Sequence, residues 1–134
     1  MATDELPNDR KYAKTHEWAK LEGDTVTIGI TAYAAEELGD VVFLDLPWDD
    51  VGTRDYQANV HFGDIESVKA TSELFCPVGG ELVDVNEALR DQPELVNSAP
   101  YIDGWMIKLK VSDPSQLDTL MDADSYSAYT ASLH

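Results

Sequence analysis

The sequence predicts a mainly β fold, a small sandwich or barrel decorated with helices. Three observations carry that reading. Short runs of alternating apolar and polar residues recur up to Val111, as strands with one buried face require. Turn residues separate these runs at short intervals. Helix signals gather after Ser112, so helices mostly follow strands instead of alternating with them, which argues against a βαβ sheet.

Residues 1–10 read as a flexible polar lead-in. Tyr12 to Leu21 contains the cluster His16-Glu17-Trp18, and Glu22-Gly23-Asp24 makes a turn. Val26, Ile28 and Ile30 alternate with Thr27 and Gly29 as a half-buried strand. Thr31 caps a short helix through Leu38, and Gly39 stops it. Val41 to Leu46 is nearly continuous apolar and reads as a strand buried on both faces. Pro47 ends it, and 48–57 reads as a polar loop. Val60 to Glu66 and Thr71 to Phe75 are extended runs interrupted by Ser67-Val68-Lys69-Ala70. Pro77 to Gly80 is a turn, Leu82, Val83 and Val85 a short strand, and Asn86 to Pro100 irregular. Trp105, Ile107, Leu109 and Val111 form the cleanest strand. Pro114 at a first helical position opens a helix with Leu117, Leu120 and Met121 on one face. Tyr126, Tyr129 and Leu133 mark a second, so helices fill 112–134. One domain over residues 1–134 is expected.

The 134 residues carry 26 Asp or Glu and 9 Lys or Arg, a net charge of −17. That surface repels phosphate backbones and anionic headgroups, which argues against nucleic-acid and membrane-surface binding. Docking partners with basic patches are favoured. The single cysteine, Cys76, excludes an intramolecular disulfide framework and fits a reducing compartment. The acidic N-terminus resembles neither a secretory signal nor a transit peptide.

No Gly-rich phosphate loop, GxSxG or HExxH motif is present. His16, His61 and His134 are scattered without ligand-like spacing and read as surface or core histidines, so no metal site is expected. Cys76 with His61 could serve as nucleophile and base, but a thiol between Phe75 and Pro77 reads as inert and partly buried. Lys69 differs from the other five lysines in lying between two extended runs, at or beside a hairpin tip. From composition alone it is a solvated turn lysine.

Ile65-Glu66-Ser67-Val68-Lys69-Ala70 resembles the lipoyl-attachment segment of the glycine cleavage system H protein family. His16-Glu17-Trp18, Ile28-Gly29-Ile30-Thr31, Leu38-Gly39-Asp40-Val41-Val42-Phe43 and Leu46-Pro47 resemble its N-terminal half in order and spacing. Pro77-Val78-Gly79-Gly80-Glu81, Leu95-Val96-Asn97-Ser98, Pro100-Tyr101 and Asp103-Gly104-Trp105-Met106-Ile107 extend the likeness over roughly 11–130.

The resemblance implies a barrel-sandwich hybrid, lipoyl-domain-like, of two small antiparallel sheets. It implies lipoic acid in amide linkage to Lys69. It implies a shuttle, not an enzyme, with no catalytic residues of its own. The shuttle carries an aminomethyl group from glycine decarboxylase (P protein) to aminomethyltransferase (T protein), and electrons to dihydrolipoyl dehydrogenase (L protein). A lipoyl synthase or ligase would load it, and a monomer suits a carrier that docks with several partners. Glu17 aligns with a position lining the family's arm cleft, and Glu73 is a second candidate to pair with the loaded arm's ammonium. Glu37 departs from the family, standing where a histidine is common, and is a third candidate.

Ala70-Thr71-Ser72 and Asp103-Gly104-Trp105-Met106-Ile107-Lys108 look closest to plant-type members. That implies a mitochondrial, photorespiratory protein in mature form, with bacterial cytoplasm as the alternative. A lipoyl relay, another swinging-arm module and an unmodified acidic adaptor are the competing readings. Biotinyl domains flank their lysine with methionines and 2-oxoacid dehydrogenase lipoyl domains place Asp before it, whereas Val68 and Ala70 stand here.

Overall fold

The structure, a computed structural model, describes residues 6–133. His134 and the first five residues of the expected lead-in lie outside the described residues. Nine strands are described: β1 (Lys11–Tyr12), β2 (Glu17–Glu22), β3 (Thr25–Ile30), β4 (Val41–Asp45), β5 (Asp55–Tyr56), β6 (His61–Ser67), β7 (Thr71–Phe75), β8 (Gly80–Val85) and β9 (Ile107–Lys110). Four α-helices accompany them: α1 (Ala32–Leu38), α2 (Ala88–Asp91), α3 (Leu95–Ser98) and α4 (Ala123–Ala131). A 3-10 helix spans Pro114–Thr119.

The strands form a six-stranded sheet in the order β1-β2-β3-β9-β8-β5 and a three-stranded sheet β4-β6-β7. Every pairing is antiparallel. Val26, Ile28, Leu82, Leu109, Leu44, Ile65 and Leu74 belong to one continuous core fed by both sheets. A smaller aromatic core joins Tyr12, Trp18 and Tyr126, with the two tyrosine rings stacked at 5.0 Å. The mainly β, two-sheet expectation therefore holds.

Several local expectations need correction. β3 is buried on both faces, not one, because the Trp18 ring lies across Gly29. A Cβ at Gly29 would sit 2.7 Å from the Trp18 ring. Gly29→Ala should therefore cost about 1–3 kcal/mol, as overpacked cores do, and denaturant unfolding measures it. Conversely, β4 exposes Val42 and Phe43, at 51% and 54%. It is an edge strand with a bulge between Val41 and Phe43, so the apolar run is not buried on both faces.

The loop expected at 48–57 contains β5, whose Tyr56 is buried. The irregular stretch 86–100 contains α2 and α3, each folded to bury one apolar side chain, Leu89 and Val96. The helix opened by Pro114 is a 3-10 turn ending at Thr119, and Leu120 is already extended. Met121 instead exchanges two backbone hydrogen bonds with Tyr12, at 2.8 Å each. Leu133, expected on the last helix, lies beyond the end of α4 and is exposed.

Arg10, the last residue of the expected lead-in, is anchored. The Arg10 guanidinium stacks 4.6 Å from the Trp18 ring centroid and donates to the Tyr101 carbonyl at 2.9 Å. A cation stacked on an aromatic face buries its charge with compensation.

Candidate functional site

β6 and β7 form the hairpin that carries Lys69. They pair from His61 opposite Phe75 to Glu66 opposite Thr71, which leaves Ser67 to Ala70 to turn the chain. Ser67 organises this turn. Its backbone N–H donates to the Ala70 carbonyl at 2.8 Å, and its Oγ accepts from the N–H groups of Lys69 and Ala70 at 3.2 and 3.1 Å. A serine hydroxyl that accepts local N–H groups supplies the partners a tight turn lacks. The Val68 N–H donates to the Asp40 carbonyl at 3.0 Å, tying the tip to the link between α1 and β4.

Lys69 is exposed at that tip, as expected. Among the described residues its ammonium has no ion-pair partner. Its stem passes Gly39, with Cε 3.4 Å from where a Cβ there would sit. Gly39 also holds φ at 82°, a left-handed value that ends α1 cheaply only for glycine.

Ser67→Ala strips the turn of its acceptor, which should cost about 1 kcal/mol of stability. It should also slow enzymatic acylation of Lys69 without lowering its final extent. Denaturant unfolding and a mass-spectrometric time course check the two outcomes.

Beside the hairpin lies a cleft of about 240 Å³ bounded by α1, the start of β2 and β7. Glu17, Glu37 and Glu73, far apart in sequence, all line it. Glu37 and Glu73 are exposed, whereas Glu17 is buried. The Glu17 carboxylate accepts from the Thr15 hydroxyl and, at 3.1 Å, from the Phe75 N–H. Burial pushes its pKa up to about 7, against the downward pull of those donors.

His16, which the sequence reading left as an ordinary histidine, lines the same cleft. Its backbone sits at φ 76°, uncommon outside glycine. Its Nδ1 is 2.7 Å from the Tyr126 hydroxyl, which is 2.8 Å from the Thr31 Oγ1. Thr31 accepts in turn from the Ala34 N–H as the cap of α1. Burial lowers the His16 pKa, only partly opposed by the Glu37 carboxylate, so the ring is neutral at pH 7. The one sequence signal for His16 was its place beside Glu17; the link to α4 spans 110 residues.

Cys76 is fully buried, and burial with the nearby Glu17 charge pushes its thiol up to about 12. A thiol so hard to ionise is a poor nucleophile, in keeping with the inert Cys76 expected from its place between Phe75 and Pro77.

A hairpin presenting an exposed amine, set on two antiparallel sheets, defines the class: a carrier domain of the barrel-sandwich type. The family model for the glycine cleavage H-protein matches residues 10–133, and the chain belongs to that family. A glycine cleavage system H protein of Staphylococcus carnosus is 54% identical over 121 residues, covering 90% of this chain and 94% of the relative. One from Bacillus cereus is 51% identical over 125 residues, covering 93% and 96%. The crystal structure of a glycine cleavage system H protein from Mycobacterium marinum superposes with a TM-score of 0.84 at 35% identity, covering 94% and 99%. The chain is accordingly a carrier in the glycine cleavage system, a lipoyl-bearing shuttle and not itself an enzyme. These relatives are bacterial, and they give the mitochondrial and photorespiratory expectation no support.

Proposed function

We propose that residues 1–134 act as one lipoyl-carrier domain whose Lys69 bears lipoic acid through an amide. The observation that carries this is the exposed amine, without an ion-pair partner among the described residues, at the tip of a hairpin braced by Ser67 and Asp40. A modifying enzyme can reach such an amine, and the sheet behind it fixes the root of the arm. Gly39 leaves room for the stem. When attached, the group supplies the dithiolane that takes up the aminomethyl unit and the electrons.

The chain contributes position and shelter. Glu17 at the base of the cleft and Glu37 and Glu73 near its exposed rim offer carboxylates to an ammonium. Acylation removes the Lys69 charge and takes the net charge from −17 to −18. The acidic surface favours docking with basic faces of glycine decarboxylase, aminomethyltransferase and dihydrolipoyl dehydrogenase, and of the lipoyl synthase or ligase. It disfavours nucleic acid and membrane surfaces. A monomer suits sequential docking, and the bacterial relatives support a cytoplasmic setting.

The test is intact mass and peptide mapping of the full chain after reaction with lipoate ligase, then reconstitution with the three enzymes. A single lipoyl increment on the Lys69 peptide and restored glycine cleavage are expected. A biotinyl increment, an increment elsewhere, or an unmodified chain that still supports cleavage would overturn the reading.

A further inference from the structure

The face of the lysine-bearing hairpin carries a second cluster, running from the middle of β6 and β7, at Asp64 and Glu73, to the end away from Lys69, at His61. In a regular strand His61 and Asp64, three residues apart, point to opposite faces. Here the register shifts between His61 and Gly63, so that His61 stands opposite Phe75 while Asp64 stands opposite Glu73. The extra residue brings His61, Asp64 and Glu73 to one face, an effect bulges commonly have beside functional groups. The Phe75 ring meets the imidazole edge-on at 6.2 Å and buttresses it. His61 Nε2 lies 2.9 Å from Asp64 Oδ1, and one donor atom from each of the three residues falls within 4.8 Å of the others.

We propose that His61, Asp64 and Glu73 bind a divalent transition-metal ion of the zinc class. An imidazole nitrogen with two carboxylate oxygens is a borderline donor set, suited to Zn²⁺, Co²⁺, Ni²⁺ or Cu²⁺ and poorly suited to Ca²⁺ or Mg²⁺. Bonds of about 2.0–2.2 Å in tetrahedral geometry place ligand atoms about 3.4 Å apart. The His61–Asp64 pair at 2.9 Å is about 0.5 Å inside that spacing, and the three donor atoms lie within 4.8 Å of one another, so closing on an ion calls for side-chain adjustment. The ion takes the Nε2 lone pair of the neutral imidazole, whose one ring proton then sits on Nδ1, so the His61–Asp64 hydrogen bond is exchanged for two metal bonds with no net change in ring protonation. The side chains of His61 and Asp64 are 45% and 38% exposed, so a hydrated ion has access and a fourth position stays open to water. Glu73 also lines the arm cleft, so metal binding draws one carboxylate from the rim of that cleft. Buried Cys76 does not compete for the ion, and His16 already holds Tyr126 through its Nδ1.

Zinc titration of the full, unlipoylated chain by calorimetry at physiological ionic strength tests the site without an arm dithiol to compete. One saturating ion per chain is expected. His61→Gln should weaken it by roughly tenfold or more, since loss of even an outer-shell partner costs that much. Asp64→Asn and Glu73→Gln should each weaken it too, whereas His134→Gln should not. The surface position of these side chains leaves folding intact, which a melting curve of each variant verifies. Several weak ions per chain, an affinity unmoved by His61→Gln, or equal affinity for Ca²⁺ would each assign the binding to the diffuse field of the −17 surface and overturn the proposal.

Discussion

Lys69→Arg abolishes lipoylation and with it all glycine-cleavage activity of the reconstituted system, while the melting temperature stays unchanged. Arginine preserves the positive charge and most of the reach of lysine, but its guanidinium stays protonated and offers no nucleophilic amine. The side chain is exposed and pairs with no acid among the described residues. The stability change should therefore fall within about 0.5 kcal/mol, as for surface positions generally. The loss is then one of chemistry and not of fold. The other lysines make the result sharp. Lys108 and Lys110 lie on β9, which is paired on both sides by β3 and β8, and Lys20 lies within ion-pair range of Asp9 and Glu22. These three sit on a sheet or beside acids, whereas Lys14 lies exposed on the turn between β1 and β2 with its ammonium 5.8 Å from the Tyr129 ring centroid, so peptide mapping must separate it from Lys69. Intact mass of the variant after exposure to lipoate ligase reads the outcome. A variant that still gains the increment, or still turns over glycine, would remove Lys69 from the carrier role.

The hairpin was the most legible part of the sequence, because a strand period of two on either side of Ser67-Val68-Lys69-Ala70 leaves the lysine nowhere to go but the tip. Helix α1 was equally legible. Thr31 and Gly39 bracket it with a side-chain acceptor and a left-handed φ, both local effects. The errors have a common physical cause, which is tertiary covering that no local pattern encodes. Gly29 looked solvent-facing until Trp18, packed across it from β2, filled the space. Val42 and Phe43 looked buried until the bulge and the sheet edge turned them outward. Arg10 read as lead-in because its partners, Trp18 and Tyr101, lie 8 and 91 residues away. The convergence of Glu17, Glu37 and Glu73 on one cleft could not be read from spacing in so acidic a chain. For Glu17 and Glu37 it came from family resemblance, and for Glu73 from its place four residues after Lys69; the fold shows the geometry that brings them together.

Glu17→Gln should make the protein more stable at pH 8 and worse at its task. In the unfolded chain this carboxyl ionises near 4.5, and in the fold burial delays that to about 7. Between those values the unfolded chain releases its proton while the native state retains it. Native stability therefore falls as pH rises from about 4.5 through 7 and levels off above. The gap, at about 1.4 kcal/mol per pH unit, corresponds to about 3 kcal/mol at pH 8. The glutamine variant has no such slope. Its amide oxygen can still accept from the Phe75 N–H, and the Thr15 hydroxyl can turn to accept from its NH₂, so both partners stay satisfied. Urea unfolding across pH 4–8 should show the two proteins alike in acid and the variant ahead in base.

The same replacement removes the carboxylate proposed to neutralise the ammonium in the cleft. The aminomethyl-loaded carrier should then hydrolyse faster, most visibly above pH 7, where Glu17 is ionised even without a cation beside it. A purely structural Glu17 would give the gain in stability with an unchanged loaded lifetime. A buried charge at the base of a cleft costs stability, and the arm proposed on Lys69, within the Ser67–Ala70 turn, is placed to bring a cation that offsets that cost.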